Sequence, residues 1–115
     1  MKKAKASILV VDDDKYIREL METILQNDFQ VTLAKDGPQA LELAGKIKFD
    51  LVITDQVMRP MTGLELIAIL LPIHPGMKCL VITGYGYTES TTQIYLRKPF
   101  TPQELISKIL EMLGE

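Results

Sequence analysis

Short runs of apolar residues alternate with helical patterns along this chain. Unbroken or nearly unbroken apolar runs predict five strands, at residues 7–11, 30–34, 50–54, 77–83 and 94–97. Between them, apolar residues recur at helical spacing. The first helix has one apolar face, made of Ile17, Leu20, Met21, Ile24 and Leu25. Alternation of aliphatic strands with helices indicates a parallel sheet that is covered on both faces.

The limits of the other helices follow from capping residues and prolines. Asp36-Gly37-Pro38 predicts the start of a second helix. Its predicted buried stripe is Leu41, Ala44 and Ile47. A third helix is expected around residues 64–71, ended by Pro72 and Pro75. Thr101-Pro102-Gln103-Glu104 forms a capping box and predicts a last helix that runs to about Leu113.

Five strands in this arrangement fit an α/β fold of the flavodoxin-like, doubly wound kind, with sheet order 2-1-3-4-5. The connection between strands 4 and 5 is unusual. It is the ten-residue segment GYGYTESTTQ, residues 84–93, whereas a parallel crossover normally needs a dozen residues or more. Its glycines and hydroxyl residues are poor helix formers. We therefore expect the fourth crossover helix to be very short or missing.

Composition narrows the class of protein. The 115 residues suit one domain over 1–115, with its core at about 7–113. A net charge of −2 argues against a nucleic-acid surface. The one cysteine, Cys79, excludes an internal disulfide and lies in an apolar run, where it is expected to pack in the core. No stretch is long enough to span a bilayer. The expectation is a soluble cytoplasmic domain that binds neither nucleic acid nor membrane.

The acidic residues that follow the first strand need an explanation. In ILVVDDD, three carboxylates follow four aliphatic residues, and neighbouring like charges repel by ~4 kcal/mol at an effective dielectric near 20. The predicted strand ends bring further polar groups to the same edge of the sheet. These are Asp12, Asp13, Asp14, Thr54, Asp55, Thr83 and Lys98. Carboxylate oxygens suit Mg²⁺, and a bound dication would relieve the repulsion. Asp14 is expected to cap the first helix instead.

The other groups at this edge suggest phosphoryl chemistry. Asp55 can act as a carboxylate nucleophile toward a phosphoryl group. Thr83 can donate a hydrogen bond to one phosphoryl oxygen, and Lys98 can offset the charge on another. Phosphoryl transfer depends mainly on such positioning and charge neutralisation.

Four ordered motifs resemble the receiver domain of two-component response regulators, a chemotaxis-Y-like family. They are VDDD, DQVMRPMTG, ITGYG and YLRKPF, and the resemblance runs from about Ser7 to Leu113. It implies that Asp55 is the phosphoacceptor and that Asp12 and Asp13 organise Mg²⁺. It further implies that Asp55 and the Val57 backbone carbonyl are metal ligands and that Thr83 and Lys98 contact the phosphoryl group. It also implies that Tyr95 is the switch aromatic and that the Lys98–Pro99 peptide bond is cis.

The resemblance also implies partners. A sensor histidine kinase or a histidine phosphotransfer protein would supply the phosphoryl group in a Mg²⁺-dependent reaction. The phosphorylated domain would switch contacts with a downstream protein or with an output domain that this chain does not contain. Only self-directed phosphoryl transfer and autodephosphorylation are expected, not enzymatic turnover of another substrate. Three positions depart from the family pattern: Arg59 precedes Pro60, Thr62 stands where an acid is frequent, and Gly84 replaces an alanine.

Other functions remain open at this point. A pseudo-receiver would keep the fold as a protein-interaction module without being phosphorylated. A phosphohydrolase with an aspartyl intermediate commonly has an acid two residues after its nucleophile, where this chain has Val57. A flavin carrier would need a phosphate-binding loop where this chain has acids. The short fourth crossover further suggests a homodimer built around the fourth crossover and strand 5, by packing or by strand exchange.

Overall fold

The fold is an open parallel sheet between two layers of helices. The computed structural model describes residues 5–84 and 94–114 of the chain. Its elements are β1 (Ser7–Val11), α1 (Lys15–Leu25), β2 (Gln30–Ala34), α2 (Gly37–Ala44), β3 (Leu51–Asp55), α3 (Gly63–Ile73), β4 (Lys78–Thr83), β5 (Ile94–Arg97) and α4 (Pro102–Met112). The five parallel strands lie in the order β2-β1-β3-β4-β5, which confirms the predicted topology.

The register of the strands aligns their carboxyl ends. Val11, the last residue of β1, pairs with Ala34 on one side and with Thr54 on the other. At the next position, Asp55 of β3 pairs with Ile82 of β4. Residues that follow β1, β3 and β4 therefore meet at one edge of the sheet, beside the point where the strand order reverses.

Alternation along the strands divides the core into two parts. Ile8 and Val10 of β1 face one side of the sheet, where Leu25 of α1 and Leu105 of α4 pack on them. Leu9 and Val11 belong to the core on the other side. The helix residues buried on that side are Ala40 and Ala44 of α2 and Leu66, Ile67 and Leu70 of α3. Because both faces are covered, the central strands carry almost no polar residue before their ends.

The helix starts follow the predicted capping residues. The Asp14 carboxylate accepts hydrogen bonds from the N–H groups of Tyr16 and Ile17, so it caps α1 as expected. Asp36 caps α2. Thr101 forms the predicted capping box with Glu104 at the start of α4.

Two details of the helices differ from the prediction. Ile47 was expected in the buried stripe of α2, but α2 ends at Ala44 with Gly45 as its cap, so Ile47 lies beyond the helix and is 40% exposed. Pro72 was expected to end the third helix, but it lies inside the last turn of α3. Proline removes only one N–H, and the His74 N–H still bonds to the carbonyl of Leu70.

The expectation of a very short or missing fourth crossover helix falls on residues 85–93, which lie outside the described residues. The homodimer hypothesis depends on that segment and stays a prediction. Cys79 is buried on β4, as expected for a core residue, and burial raises the pKa of its thiol to about 11.

The α3 helix offers a matched test of the packing. Leu66→Ala should lower the free energy of unfolding by about 2–5 kcal/mol, because Leu66 is fully buried and truncation leaves a cavity. Ile69 lies one turn further along the same helix and is 42% exposed. Ile69→Ala should cost clearly less in the same urea titration. Equal losses for the two variants would contradict the assignment of the buried face.

Candidate functional site

Three carboxylates converge at the carboxyl edge of the sheet. Asp12 directly follows β1, and Asp55 is the last residue of β3. One carboxylate oxygen from each of Asp12, Asp13 and Asp55 lies within 4.8 Å of the others. Asp12 and Asp55 are only 7% and 8% exposed, whereas Asp13 is exposed to solvent. The predicted acidic cluster therefore exists, and its charges are crowded together.

The backbone around Asp12 is held by several hydrogen bonds. Its N–H donates to the carbonyl of Ala34 at 3.1 Å, which extends the pairing of β1 with β2. Its carboxylate accepts from the Asp14 N–H at 2.9 Å. Its carbonyl accepts from Nη1 of Arg18, one turn into α1, at 2.8 Å. These contacts fix the turn in which the strand ends and the capped helix begins.

Crowding and burial change the acidity of Asp12. Burial, together with the negative charges of Asp55 and Asp13, raises the pKa of its carboxyl from 3.8 to about 6. The hydrogen bond from Asp14 and the charge of Lys98 oppose this rise without cancelling it. A divalent cation among these oxygens would favour the ionised form.

The ammonium group of Lys98, which follows the edge strand β5, faces Asp55. The Nζ atom of Lys98 lies 2.8 Å from Oδ1 of Asp55, and the lysine side chain is 45% exposed. The Lys98 N–H donates to the carbonyl of Thr83 at 2.7 Å, which fixes the lysine beside the end of β4. The Lys98–Pro99 peptide is cis, as the family resemblance implied. Arg59–Pro60 is a second cis peptide, which was not expected.

Thr83 ends β4 with its hydroxyl buried. The residue is 1% exposed, and among the described residues its Oγ1 atom finds no hydrogen-bond partner. A buried hydroxyl without a hydrogen-bond partner costs about 1–3 kcal/mol, so a ligand that accepts a hydrogen bond from Thr83 would gain this energy. Tyr95 pairs in register with Val81, is half-buried, and packs against the α2–α3 side of the core.

The loop after β3 begins beside the acidic cluster. The Thr54 hydroxyl donates to the carbonyl of Asp55 at 2.9 Å. Val57, two residues after Asp55, has a side chain that is 77% exposed. At the end of the loop, Gly63 lies so close to the Asp55 carbonyl that a Cβ atom there would be 2.5 Å from the oxygen. This approach requires glycine at the start of α3.

An apolar cavity of about 430 Å³ opens next to the cluster. It lies between α1 and the start of α4, with Ile17, Leu20 and Met21 on one wall and Phe100 on the other. Asp12, Asp55 and Lys98 stand at its polar end. Leu20 was predicted on the apolar face of α1 and does line this cavity, although it is 43% exposed.

The donor set fits a hard divalent cation. Carboxylate oxygens are the ligands that Mg²⁺ prefers, and two of the three carboxylates are largely withdrawn from water. The Thr83 hydroxyl, which has no partner among the described residues, and the Lys98 ammonium are donors for an anion at this edge of the sheet. The site combines acceptors for a cation with donors for an anionic ligand.

Comparison with known proteins identifies the family. The family model described as the response regulator receiver domain matches residues 8–110 of the sequence. The chain therefore belongs to the response regulator receiver domain family, as the motifs suggested. It is 35% identical over 115 residues to the probable transcriptional regulator ycf29 of Porphyra purpurea, covering 92% of this chain and 55% of that protein. It is 31% identical over 110 residues to the DNA-binding response regulator MtrA of Mycolicibacterium paratuberculosis, covering 89% of this chain and 48% of that protein.

Solved structures of receiver domains have the same fold as this chain. The CheY-like receiver domain protein of Methanospirillum hungatei superposes with a TM-score of 0.89 at 30% identity, covering 96% of this chain and 95% of that one. The chemotaxis protein CheY4 of Vibrio cholerae superposes with a TM-score of 0.87 at 28% identity, covering 95% and 99%. The chain spans about half the length of the curated relatives it matches. Within the described ranges, no helix is long and apolar enough to cross a membrane.

The structure brings the predicted acids and Lys98 together, but the sequence analysis missed two residues that support them. Arg18 bonds to the Asp12 carbonyl, and Gln56 bonds to the start of α3 through its side chain. Arg18 gave no signal, because an arginine on a helix is common and its partner here is a backbone carbonyl six residues earlier. Gln56 gave no signal, because its partner lies eight residues further along the chain.

The raised pKa of Asp12 predicts a pH-dependent stability in the absence of metal. Well above pH 6 the folded state must keep a buried carboxylate ionised, whereas well below pH 4 the group is protonated in both states. The penalty is therefore absent at low pH, small at pH 4 and complete only well above pH 6. Asp12→Asn should raise the free energy of unfolding at pH 7.5 by about 2–3 kcal/mol and change it little at pH 4.

Urea unfolding in the presence of a chelator measures the free energy of unfolding at pH 7.5 and at pH 4. The exposed Asp28 provides the control, and Asp28→Asn should leave the stability nearly unchanged at both pH values. A gain for Asp12→Asn that is equally large at pH 4 would show that the charge of Asp12 is not its cause.

Proposed function

We propose that this receiver domain is a phosphorylation switch in which Asp55 accepts a phosphoryl group from a histidine of a partner protein. One observation carries the proposal. The buried Asp55 carboxylate lies 2.8 Å from the Lys98 ammonium and shares a cluster with the carboxylates of Asp12 and Asp13. This arrangement supports the roles of Asp55 as nucleophile, of Lys98 as the neutralising cation and of the three carboxylates as metal ligands.

In the proposed step, a carboxylate oxygen of Asp55 forms a bond to phosphorus. The bond from phosphorus to the imidazole nitrogen of the donor breaks, and its electron pair stays on that nitrogen. The product is an aspartyl phosphate. The protein needs only to hold its oxygen in line with the leaving nitrogen and to offset the charge on the three equatorial oxygens.

The neighbouring residues have separate tasks in this step. Lys98, whose side chain is partly exposed, neutralises charge on one phosphoryl oxygen. Thr83 donates its hydroxyl to another oxygen, and this supplies a partner that the buried group lacks among the described residues. Asp12, Asp13, Asp55 and the backbone carbonyl of Val57 would hold Mg²⁺. When bound, Mg²⁺ neutralises charge on the phosphoryl group.

The proposed switch begins at Thr83. When its hydroxyl turns toward the phosphoryl group, the space beside the end of β4 changes, and Tyr95 on β5 changes its rotamer in response. The two residues belong to neighbouring strands, since β4 pairs with β5, and both face the α2–α3 side of the sheet. A rotamer change of Tyr95 would alter the surface that a downstream protein or output domain contacts.

The proposed donor is a sensor histidine kinase or a histidine phosphotransfer protein in the cytoplasm. The chemistry of the chain itself would be limited to its own phosphorylation and autodephosphorylation. Nothing in the described residues specifically favours the alternative of a pseudo-receiver that is never phosphorylated, and the first experiment below separates the two.

Acetyl phosphate with Mg²⁺ should add one phosphoryl group to the wild-type chain, seen by intact mass. Asp55→Asn should abolish the addition, because the amide cannot act as the nucleophile. The exposed Asp28→Asn variant should be labelled as the wild type is. Equal labelling of Asp55→Asn would refute the phosphoacceptor assignment, and an unlabelled wild type would favour the pseudo-receiver.

Mg²⁺ affinity tests the acidic cluster separately. Asp13→Asn should weaken Mg²⁺ binding at least about fivefold, since one carboxylate no longer attracts the cation. It should also raise stability without metal, because a repulsive charge is removed. Asp14→Asn is the matched control, since asparagine caps α1 as well as aspartate does and Asp14 lies outside the cluster. If calorimetry gives the same affinity for Asp13→Asn and the wild type, the cluster is not the metal site.

A further inference from the structure

Gln56, the residue after β3, accepts hydrogen bonds from the start of α3. A helix begins with N–H groups that have no partner inside the helix. The Gly63 N–H donates to the backbone carbonyl of Gln56 at 3.0 Å, and the Leu64 N–H donates to the side-chain Oε1 of Gln56 at 2.9 Å. The third N–H, of Glu65, donates to Thr62. Gln56 therefore satisfies two of the first three N–H groups of α3.

Gln56 is also fixed to the sheet. Its own N–H donates to the carbonyl of Ile82 at 3.0 Å, which extends the pairing of β3 with β4 one residue past Asp55. Its side chain is half-buried, so the bond to Leu64 is partly shielded from water. The chain thus leaves the sheet at Gln56 and enters α3 at residues that Gln56 itself holds.

The intervening loop, residues 57–62, is closed at both ends. Besides the two bonds to Gln56, the close approach of Gly63 to the Asp55 carbonyl leaves no room for even a methyl group between them. Val57, whose carbonyl is the proposed backbone ligand of the cation, is the first residue of this loop. Its position therefore depends on the conformation of Gln56 immediately before it.

We infer that Gln56 is a positioning residue for the metal site: its side-chain amide holds the loop that presents the Val57 carbonyl. This inference rests on the proposed function. The amide matters because of its length and its acceptor oxygen. Methionine has a similar length without that oxygen and would leave the Leu64 N–H without its partner. Glutamate keeps the oxygen and adds a negative charge, which a helix N-terminus favours. Asparagine is one methylene shorter and cannot reach as far.

The test compares Mg²⁺ affinities by titration calorimetry, with urea unfolding in a chelator as the measure of stability. Gln56→Met should weaken Mg²⁺ binding roughly tenfold, the lower end of the effect of losing a group that orients a metal ligand. Gln56→Glu should bind Mg²⁺ as tightly as the wild type or more tightly. Gln56→Asn should weaken binding as Gln56→Met does, and it serves in its place if the methionine variant does not fold.

A capping variant elsewhere controls for stability alone. Thr101 accepts the Glu104 N–H at the start of α4, a helix of 11 residues like α3. Thr101→Ala should lower the urea midpoint and leave Mg²⁺ affinity unchanged. The inference is overturned if folded Gln56→Met binds Mg²⁺ within about twofold of the wild type. The inference is equally overturned if Gln56→Glu binds Mg²⁺ as weakly as Gln56→Met does, or if Thr101→Ala weakens Mg²⁺ binding as much as Gln56→Met does. A wild-type chain that binds no Mg²⁺ would instead refute the proposed metal site.

Discussion

Asp55 ends β3 and Lys98 follows β5, two strands that are not neighbours, yet their charged atoms meet at 2.8 Å beyond the end of β4. The lysine can reach only because β5 lies next to β4 and because the Lys98 N–H is bonded to the last carbonyl of β4. A buried carboxylate that lost this cation would face a large desolvation cost beside two other acids. The strand order, the register and the turn after β5 are therefore all needed for this one contact.

The same edge of the sheet works against stability. Repulsion among the acids and burial of Asp12 raise the energy of the folded state at neutral pH. The hydroxyl of Thr83 adds a buried donor with no partner in the described part of the chain. Bound ligands would relieve these costs: a cation would relieve the first two, and a hydrogen-bond acceptor such as an anionic ligand would relieve the third. The conflict at this edge is the expected mark of a binding site, because functional sites commonly break rules that the rest of a fold obeys.

Much of this architecture could be predicted from the sequence, because the signals are local or periodic. Aliphatic runs such as residues 7–11 fixed the strands, and the rule that chemistry gathers at carboxyl ends selected Asp12, Asp55, Thr83 and Lys98. The failures have physical causes. Ile47 fits the spacing of α2, but periodicity does not show where a helix stops. Pro72 lies in the final turn, where the loss of one N–H is tolerated.

The residues that hold the site in place were the hardest to predict from the sequence. Gln56 and Arg18 act through single bonds to backbone groups that only the folded chain brings close. A glutamine after a strand and an arginine on a helix are common and carry no pattern of their own. Which residues gather at the carboxyl edge of the sheet can be inferred from residue type and strand position, whereas which residues hold them in place depends on the folded geometry.

The central place of β1 in the sheet has a consequence for how the protein is made. β1 is the first of the five strands to leave the ribosome, but its two pairing partners are β2 and β3. One of its faces also packs with Leu105 and Ile109 of α4, the last helix. Vectorial synthesis therefore leaves Ile8 and Val10 without part of their packing partners until nearly the whole domain has emerged. Until α4 completes the core, part of this apolar segment stays exposed in the nascent chain, and exposed apolar surface of this kind favours aggregation.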